Sequence, residues 1–274
     1  MISFPNAKIN LGLNIVSKRE DGYHNLETVF YPIAIKDALE IIVKKEQPQD
    51  TFFECGIKVD SPPENNLVVK ALKLMRNEYD FPPLEIHLLK KIPFGAGLGG
   101  GSADASFMLK LINKKFELGA TDERLASLAL QLGADCPYFI YNKPMFASGI
   151  GEIFEEVNLS LKEYWFVLIK PDIHVSTKDA FAQIKPQMPR TSLKEIIKMP
   201  ISSWKDLMVN DFEKSVFSRY PEIGRIKQSL YDNGAIYASM SGSGSSVFGI
   251  FKNETPIDEK HYTDCIVWIG KGLV

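Results

Sequence analysis

Pro93-Phe94-Gly95-Ala96-Gly97-Leu98-Gly99-Gly100-Gly101-Ser102-Ala103-Asp104-Ala105 places five glycines within seven residues. Before this stretch, Leu84, Ile86, Leu88 and Ile92 fall at even spacing among mostly polar neighbours, the period of a half-buried strand. After it, a run from Ser102 to Asn113 carries Ala105, Met108, Leu109 and Ile112 at helical spacing. Ser102 is the expected N-cap, with Asp104 in the first turn. The glycines therefore lie on a strand-to-helix turn, at the positive end of a helix.

Glycine tolerates positive φ and, lacking Cβ, lets a ligand reach backbone amides. The first-turn N–H groups of a helix have no internal partner. Together these features make a phosphate cradle, and an ordinary turn does not need glycine at this density. A Walker A loop requires Gly-Lys followed by Ser or Thr, which is absent. G-x-G-x-x-G does occur at Gly95, Gly97 and Gly100. A dinucleotide fold would then place a strand ending in an acid about 20 residues on, yet a helical stretch from Thr121 to Gly133 follows. A protein-kinase loop is excluded because no H-R-D or D-F-G follows.

The chain has 274 residues, 45% hydrophobic and 24% charged, enough for one or two domains with real cores. A net charge of -2 gives no basic footprint, which argues against a nucleic-acid partner. Cys55, Cys136 and Cys265 are scattered and form neither metal spacing nor a disulfide framework, as suits a reducing cytoplasm. Met1-Ile2-Ser3-Phe4-Pro5 does not begin a signal peptide. No apolar run approaches the roughly 20 residues of a membrane span. No obligate protein partner is inferred.

In chain order, Ile9, Leu11, Leu13 and Ile15 alternate with Lys8, Asn10, Gly12 and Asn14, a strand with one polar face. On periodicity alone that face is solvated. Asp21-Gly22 is a turn, followed by Tyr23-His24 and by strands over 26–35 and 38–44. Thr51 to Asp60 contains another strand, and 67–79 reads as a helix entered through Asn66. Thr121 caps a helix that Gly133 ends and Pro137 stops, leaving Asp135 just past its negative pole. The pattern restarts near Asn158, so the domains are expected at 1–155 and 156–274. Trp165 to Ile169 is a buried strand, and a helix starts at Ser176. Residues 186–200 are loop-rich and 210–233 mostly helical. Ile236–Met240 and Val247–Phe251 are strands joined by a hairpin-type turn, Ser241-Gly242-Ser243-Gly244-Ser245-Ser246. The tail, 258–274, holds one short strand.

Pro-x-Gly-x-Gly-Leu-Gly-Gly-Gly-Ser-x-Asp-Ala resembles the ATP loop of the GHMP kinases. The triple glycine and the run Arg19-Glu20-Asp21-Gly22-Tyr23-His24 are most similar to their diphosphocytidyl-methylerythritol kinase branch. Gly133-Ala134-Asp135-Cys136-Pro137 and Ser241–Ser245 resemble two further motifs of that family, in the family's order. The resemblance implies an α+β fold of two domains. The N-terminal one would resemble ribosomal protein S5 domain 2 and the C-terminal one would be ferredoxin-like, with the site in the cleft between them. It implies transfer of a phosphoryl group from ATP, with Mg²⁺, to the 2-hydroxyl of 4-diphosphocytidyl-2-C-methyl-D-erythritol in non-mevalonate isoprenoid synthesis. Asp135 would be the base and Lys8 would offset negative charge at the reacting centre. Asn66, Pro93, Phe94, Gly95, Ala96, Gly97, Leu98, Gly99, Gly100, Gly101, Ser102 and Ala103 would hold ATP. Asn10, Tyr23, His24, Thr177, Phe181 and Gly242 would meet the acceptor, a small molecule bearing a cytidine diphosphate group. The metal ligands are not named by the sequence. Ala103 stands where many relatives have a second Ser, leaving Ser102 as the available hydroxyl. A kinase for homoserine or mevalonate, or a nucleotide-binding regulator, is the alternative reading.

Overall fold

The computed structural model describes residues 1–58, 62–254 and 257–274. In chain order its strands are β1 (Ile2–Ser3), β2 (Asn6–Lys18), β3 (His24–Lys36), β4 (Ala38–Val43), β5 (Thr51–Gly56), β6 (Leu84–Lys90), β7 (Met145–Ser148), β8 (Ile153–Glu156), β9 (Trp165–Pro171), β10 (Tyr237–Met240), β11 (Val247–Phe251) and β12 (Cys265–Lys271). The helices are α1 (Leu67–Glu78), α2 (Gly100–Phe116), α3 (Asp122–Leu130), α4 (Cys136–Tyr141), α5 (Thr177–Phe181), α6 (Leu193–Ile196), α7 (Trp204–Leu207), α8 (Phe212–Arg219) and α9 (Pro221–Asp232). The expected strand over 51–60 ends at Gly56, and its last two residues lie outside the described ones.

Two units divide the chain. The first comprises 1–7, 35–94 and 99–142. Its sheet runs β1-β4-β6-β5, with β5 parallel to β6 and the other pairs antiparallel. Along β6, Leu84, Ile86 and Leu88 are buried while Glu85, His87 and Leu89 are half-exposed, which is the alternation the sequence carries. Their apolar face packs on Val68, Leu72 and Met75 of α1 and on Ala105, Met108, Leu109 and Ile112 of α2. These four α2 positions recur at three- and four-residue steps, so one stripe of that helix meets the sheet.

The second unit comprises 8–34, 95–98 and 143–274. One sheet is ordered β2-β3-β7-β8 and the other β10-β11-β9-β12. In the latter, β9, β10, β11 and β12 follow one another in the chain, and every adjacent pair is antiparallel. Numbered by chain order within the sheet, the spatial order is 4-1-3-2, the ferredoxin-like split βαβ arrangement. Val167, Ile169, Met240, Val247 and Phe251 of the sheet share a core with Phe212 and Val216 of α8 and Ile223, Ile226 and Leu230 of α9.

Four local expectations are corrected. Ser102 is not the N-cap: α2 starts at Gly100, and Gly99, at φ +68°, occupies that position. Low helix propensity makes glycines read as loop, but packing of α2 overrides it. Gly133 does not end a helix, since α3 stops at Leu130. Pro137 does not stop one either, because it lies in the first turn of α4, where its missing N–H costs nothing. Asp135 consequently sits at the N-cap position of α4, the positive rather than the negative pole.

Candidate active site

The glycine stretch alternates in conformation. Gly95, Gly97 and Gly99 lie at φ +61°, +74° and +68°, a region that side-chain-bearing residues rarely adopt. The chain then enters the 17-residue α2 without a capping side chain, because the N-cap is a glycine. The first-turn amides are thus left to another acceptor. The triple glycine divides by role. A Cβ on Gly100 would stand 2.7 Å from Ile92 Cγ2, whereas one on Gly101 would meet only Leu67 Cδ1 at 3.7 Å. Gly100 answers to packing, and Gly101 keeps space open.

Beside Gly101 the first unit carries a cavity of about 550 Å³, lined by Phe52, Glu54, Asn66, Leu67 and Phe94 among others. Its volume is that of a small-molecule site. Phe94 is 64% exposed, so a large apolar ring lies open at this cavity. Asn66 caps α1 by accepting from Val68 N at 2.9 Å and donates to Glu54 at 2.7 Å. It therefore shapes the cavity wall while serving the helix. Asp135 is half-buried. Its neighbour Cys136 is tied to α2: Ser106 Oγ donates to its carbonyl at 2.6 Å. Burial pushes the Cys136 thiol up to about 11. Asp135 is thereby fixed relative to the first turns of α2.

In the second unit, Lys8 and Asn10 are 3% and 2% exposed, so the polar face of β2 is not solvated. Lys8 Nζ donates to Asn10 Oδ1 at 2.7 Å and to the Gly97 carbonyl at 3.3 Å, and lies 4.7 Å from the centre of the Phe30 ring. Asn10 Nδ2 donates to Thr28 Oγ1 at 2.9 Å. The Ser-Gly turn closes on the same place. Ser241 Oγ donates to the Gly97 carbonyl at 2.8 Å, and Ser246 N to the Ala96 carbonyl at 3.3 Å. A Cβ on Gly97 would fall 1.9 Å from the Ser241 carbonyl oxygen, so glycine is obligatory there for packing. A Cβ on Gly242, at φ +56°, would stand 3.3 Å from Asn10 Oδ1.

His24 and Phe181 stack at 4.8 Å between ring centres, and Phe181 meets Phe212 edge-on at the same separation. Nothing planar fits between the first two rings as they stand, so a base would lie on an outer face of the pair. Tyr23, which precedes His24, is 62% exposed on the Asp21-Gly22 turn, whose Asp21 carboxylate accepts from Tyr23 N at 3.0 Å. Thr177 opens α5, capped by Ser176. Among the described residues, no group of three or more His, Cys, Asp or Glu is gathered to hold a metal ion.

Thr28 and Asn210 escaped the sequence reading. Thr28 completes the Lys8–Asn10 line, donating onward to the Gly12 carbonyl at 2.6 Å. Asn210, 2% exposed, donates to the Met240 and Gly242 carbonyls at 2.8 Å each and so sets the Ser-Gly turn. Neither has a local signal, because each acts on a segment remote in sequence.

The chain matches the family model for the GHMP kinases N terminal domain over residues 66–143 and that for the GHMP kinases C terminal over 192–260. It is 58% identical to the 4-diphosphocytidyl-2-C-methyl-D-erythritol kinase of Parabacteroides distasonis, over 99% of each chain. To the enzyme of the same name from Bacteroides fragilis it is 61% identical, over 96% of each. A crystal structure of 4-(cytidine 5'-diphospho)-2C-methyl-D-erythritol kinase superposes with a TM-score of 0.82 at 28% identity, covering 98% of both chains. With the motifs in order and both domains matched, the chain belongs to the GHMP kinase family, in its 4-diphosphocytidyl-2-C-methyl-D-erythritol kinase branch.

Proposed function

We propose that this chain transfers the γ-phosphoryl group of ATP to the 2-hydroxyl of 4-diphosphocytidyl-2-C-methyl-D-erythritol, a cytoplasmic step of non-mevalonate isoprenoid synthesis. The observation that carries the nucleotide half is the loop of left-handed glycines running into an uncapped helix beside the 550 Å³ cavity. The acceptor half rests on the relatives' shared name at 58–61% identity. The cavity fits an adenine ring, and the amides of Gly100 to Ser102 fit phosphate oxygens. Mg²⁺ would ride on the phosphates, which with water supply the hard oxygen ligands it prefers.

Phosphoryl transfer asks the protein mainly for positioning and charge stabilisation. Asp135 is proposed to take the proton of the acceptor hydroxyl. A carboxylate is too weak a base to deprotonate an alcohol in advance, so the proton moves late, as the new P–O bond forms. Lys8, held by Asn10 and the Gly97 carbonyl, is proposed to offset charge on the incipient alkoxide. Tyr23, His24 and Phe181 are proposed to take the cytosine by stacking and by its hydrogen-bonding edge, with Thr177 and Gly242 alongside. Stacking on an aromatic ring is worth about 1–3 kcal/mol per base.

The test is kcat/KM for the diphosphocytidyl acceptor against homoserine and mevalonate, with ATP saturating. Strong preference for the diphosphocytidyl acceptor is expected, since a site built for a base edge penalises an acceptor lacking it. Equal or better turnover of either cousin substrate overturns the acceptor assignment.

A further inference from the structure

Beneath the glycine loop, the first unit buries three charged side chains together. Lys90, Asp37 and Asp104 are 4%, 1% and 2% exposed. Lys90 Nζ bonds Asp37 Oδ2 and, at 2.6 Å, Asp104 Oδ2. The other Asp37 oxygen accepts from the backbone N–H groups of Lys91 and of Ile92, the latter at 2.8 Å. The three residues come from different places: the β3–β4 corner, the end of β6, and the second turn of α2. Lys90–Ile92 is the strand leg entering the loop, and Asp104 is on the helix leg leaving it. The legs also touch directly, since Gly100 has no room for a Cβ between itself and Ile92.

Such an arrangement is expensive as a stability device. One ammonium faces two carboxyls in a dry place, and a well-packed apolar trio would hold the fold at least as well. Burial and the nearby Asp37 push the Asp104 carboxyl well above its usual range, and its second oxygen has no hydrogen-bond partner. What the trio supplies that apolar packing does not is directional register: two backbone amides and three side chains fixed by hydrogen bonds. Amides that receive phosphates need such register, because misplaced donors lose most of their value.

We propose that Asp37, Lys90 and Asp104 form a buried clamp that holds the two legs of the glycine loop in phosphate-receiving register. Lys90 acts as a positioning residue, and the inference rests on the loop being the phosphate site. Lys90 and Asp104 also line the cavity proposed for the base, so the difference between ADP and adenosine separates an effect on the phosphate-receiving loop from one on the cavity wall.

The experiment is calorimetric titration of the full chain with ADP and, separately, with adenosine, in wild type, Lys90→Met, Asp104→Ala and Asp104→Asn. Lys90→Met and Asp104→Ala should weaken ADP by about tenfold or more, the equivalent of one well-placed hydrogen bond. Adenosine affinity should stay within about threefold. Asp104→Asn keeps an accepting oxygen and should recover most of the ADP affinity that Asp104→Ala loses. Removing one partner of a buried pair is often strongly destabilising. If Lys90→Met does not fold, the comparison of the two Asp104 variants decides. Undiminished ADP affinity in folded variants, or equal loss for ADP and adenosine, overturns the clamp. A wild type that binds ADP no better than adenosine would instead overturn the phosphate-loop reading itself.

Discussion

A lysine with 3% of its surface exposed is held by an amide oxygen, a backbone carbonyl and a ring face. For Lys8 the sequence offered only alternation, which read as a solvated face. Periodicity reports which residues share a side and not what covers that side, so the burial was illegible without the family resemblance. If the ammonium acts on charge that develops only in the transition state, Lys8→Met lowers kcat far more than it raises KM. Asp135→Asn should do the same, at the roughly 10²–10⁴-fold cost of losing a general base. Steady-state kinetics on both variants check this, and near-normal kcat in Asp135→Asn with chemistry rate-limiting removes the assigned role. Next to it, the Cys136 thiol is fully buried and raised to about 11, whereas Cys55 is exposed. A thiol reagent at pH 8 should therefore modify Cys55 in the native protein and leave Cys136 untouched until unfolding. Rapid native labelling of Cys136, read by peptide mass spectrometry, would contradict the packing of α4 on α2.

At the scale of elements, glycine density was legible as a cradle, but the duties of single glycines were not. Gly97 is demanded by the Ser241 carbonyl 1.9 Å from its would-be Cβ, and Gly100 by Ile92. The first partner is remote in sequence, and the second, though eight residues away, faces Gly100 only once the strand and the helix have packed. Gly101 has space around it within the protein. Gly101→Ala should accordingly leave the melting temperature nearly unchanged, while a methyl group beside the phosphate-receiving amides raises the KM for ATP several-fold or more. Gly97→Ala should lower the melting temperature by several degrees, since overpacking against backbone typically costs about 1–3 kcal/mol and the left-handed φ adds strain. Thermal melts beside ATP kinetics separate the two. A Gly101→Ala protein that melts well below wild type, or keeps its KM, sinks the division of labour. The same lesson explains Pro137 and Asp135. Proline marks a helix boundary without saying which side, and only the packing of α4 resolves it into a start.

For the whole molecule, strands and helices followed from period and caps, and the 4-1-3-2 sheet order of the second unit follows from pairing that no single strand encodes. The short strands β7 and β8, four residues each, carry too few positions to show a period. Buried acids were likewise invisible, and they set how stability depends on pH. Burial raises the carboxyls of Glu27, Asp104 and Asp211, with Asp104 also pushed up by Asp37. Those of Asp21, Glu85 and Glu123 are lowered by local hydrogen bonds near the surface, where such shifts count for little. A raised carboxyl binds its proton more tightly folded than unfolded. Stability therefore falls as pH climbs from the unfolded values of 3.8 for Asp and 4.5 for Glu through each raised folded value. The protein is expected to melt at a higher temperature near pH 5.5 than near pH 7.5, the opposite of a chain held by salt-bridged acids. Asp104 has the most buried of these carboxyls, so Asp104→Asn should flatten the profile, with most of its relative gain at the alkaline end. Melting temperatures across that range, in wild type and variant at one ionic strength, decide it. A wild-type melting temperature that rises steadily with pH would mean that Asp104 stays ionised on Lys90 throughout, and the variant would then be the less stable protein at neutral pH.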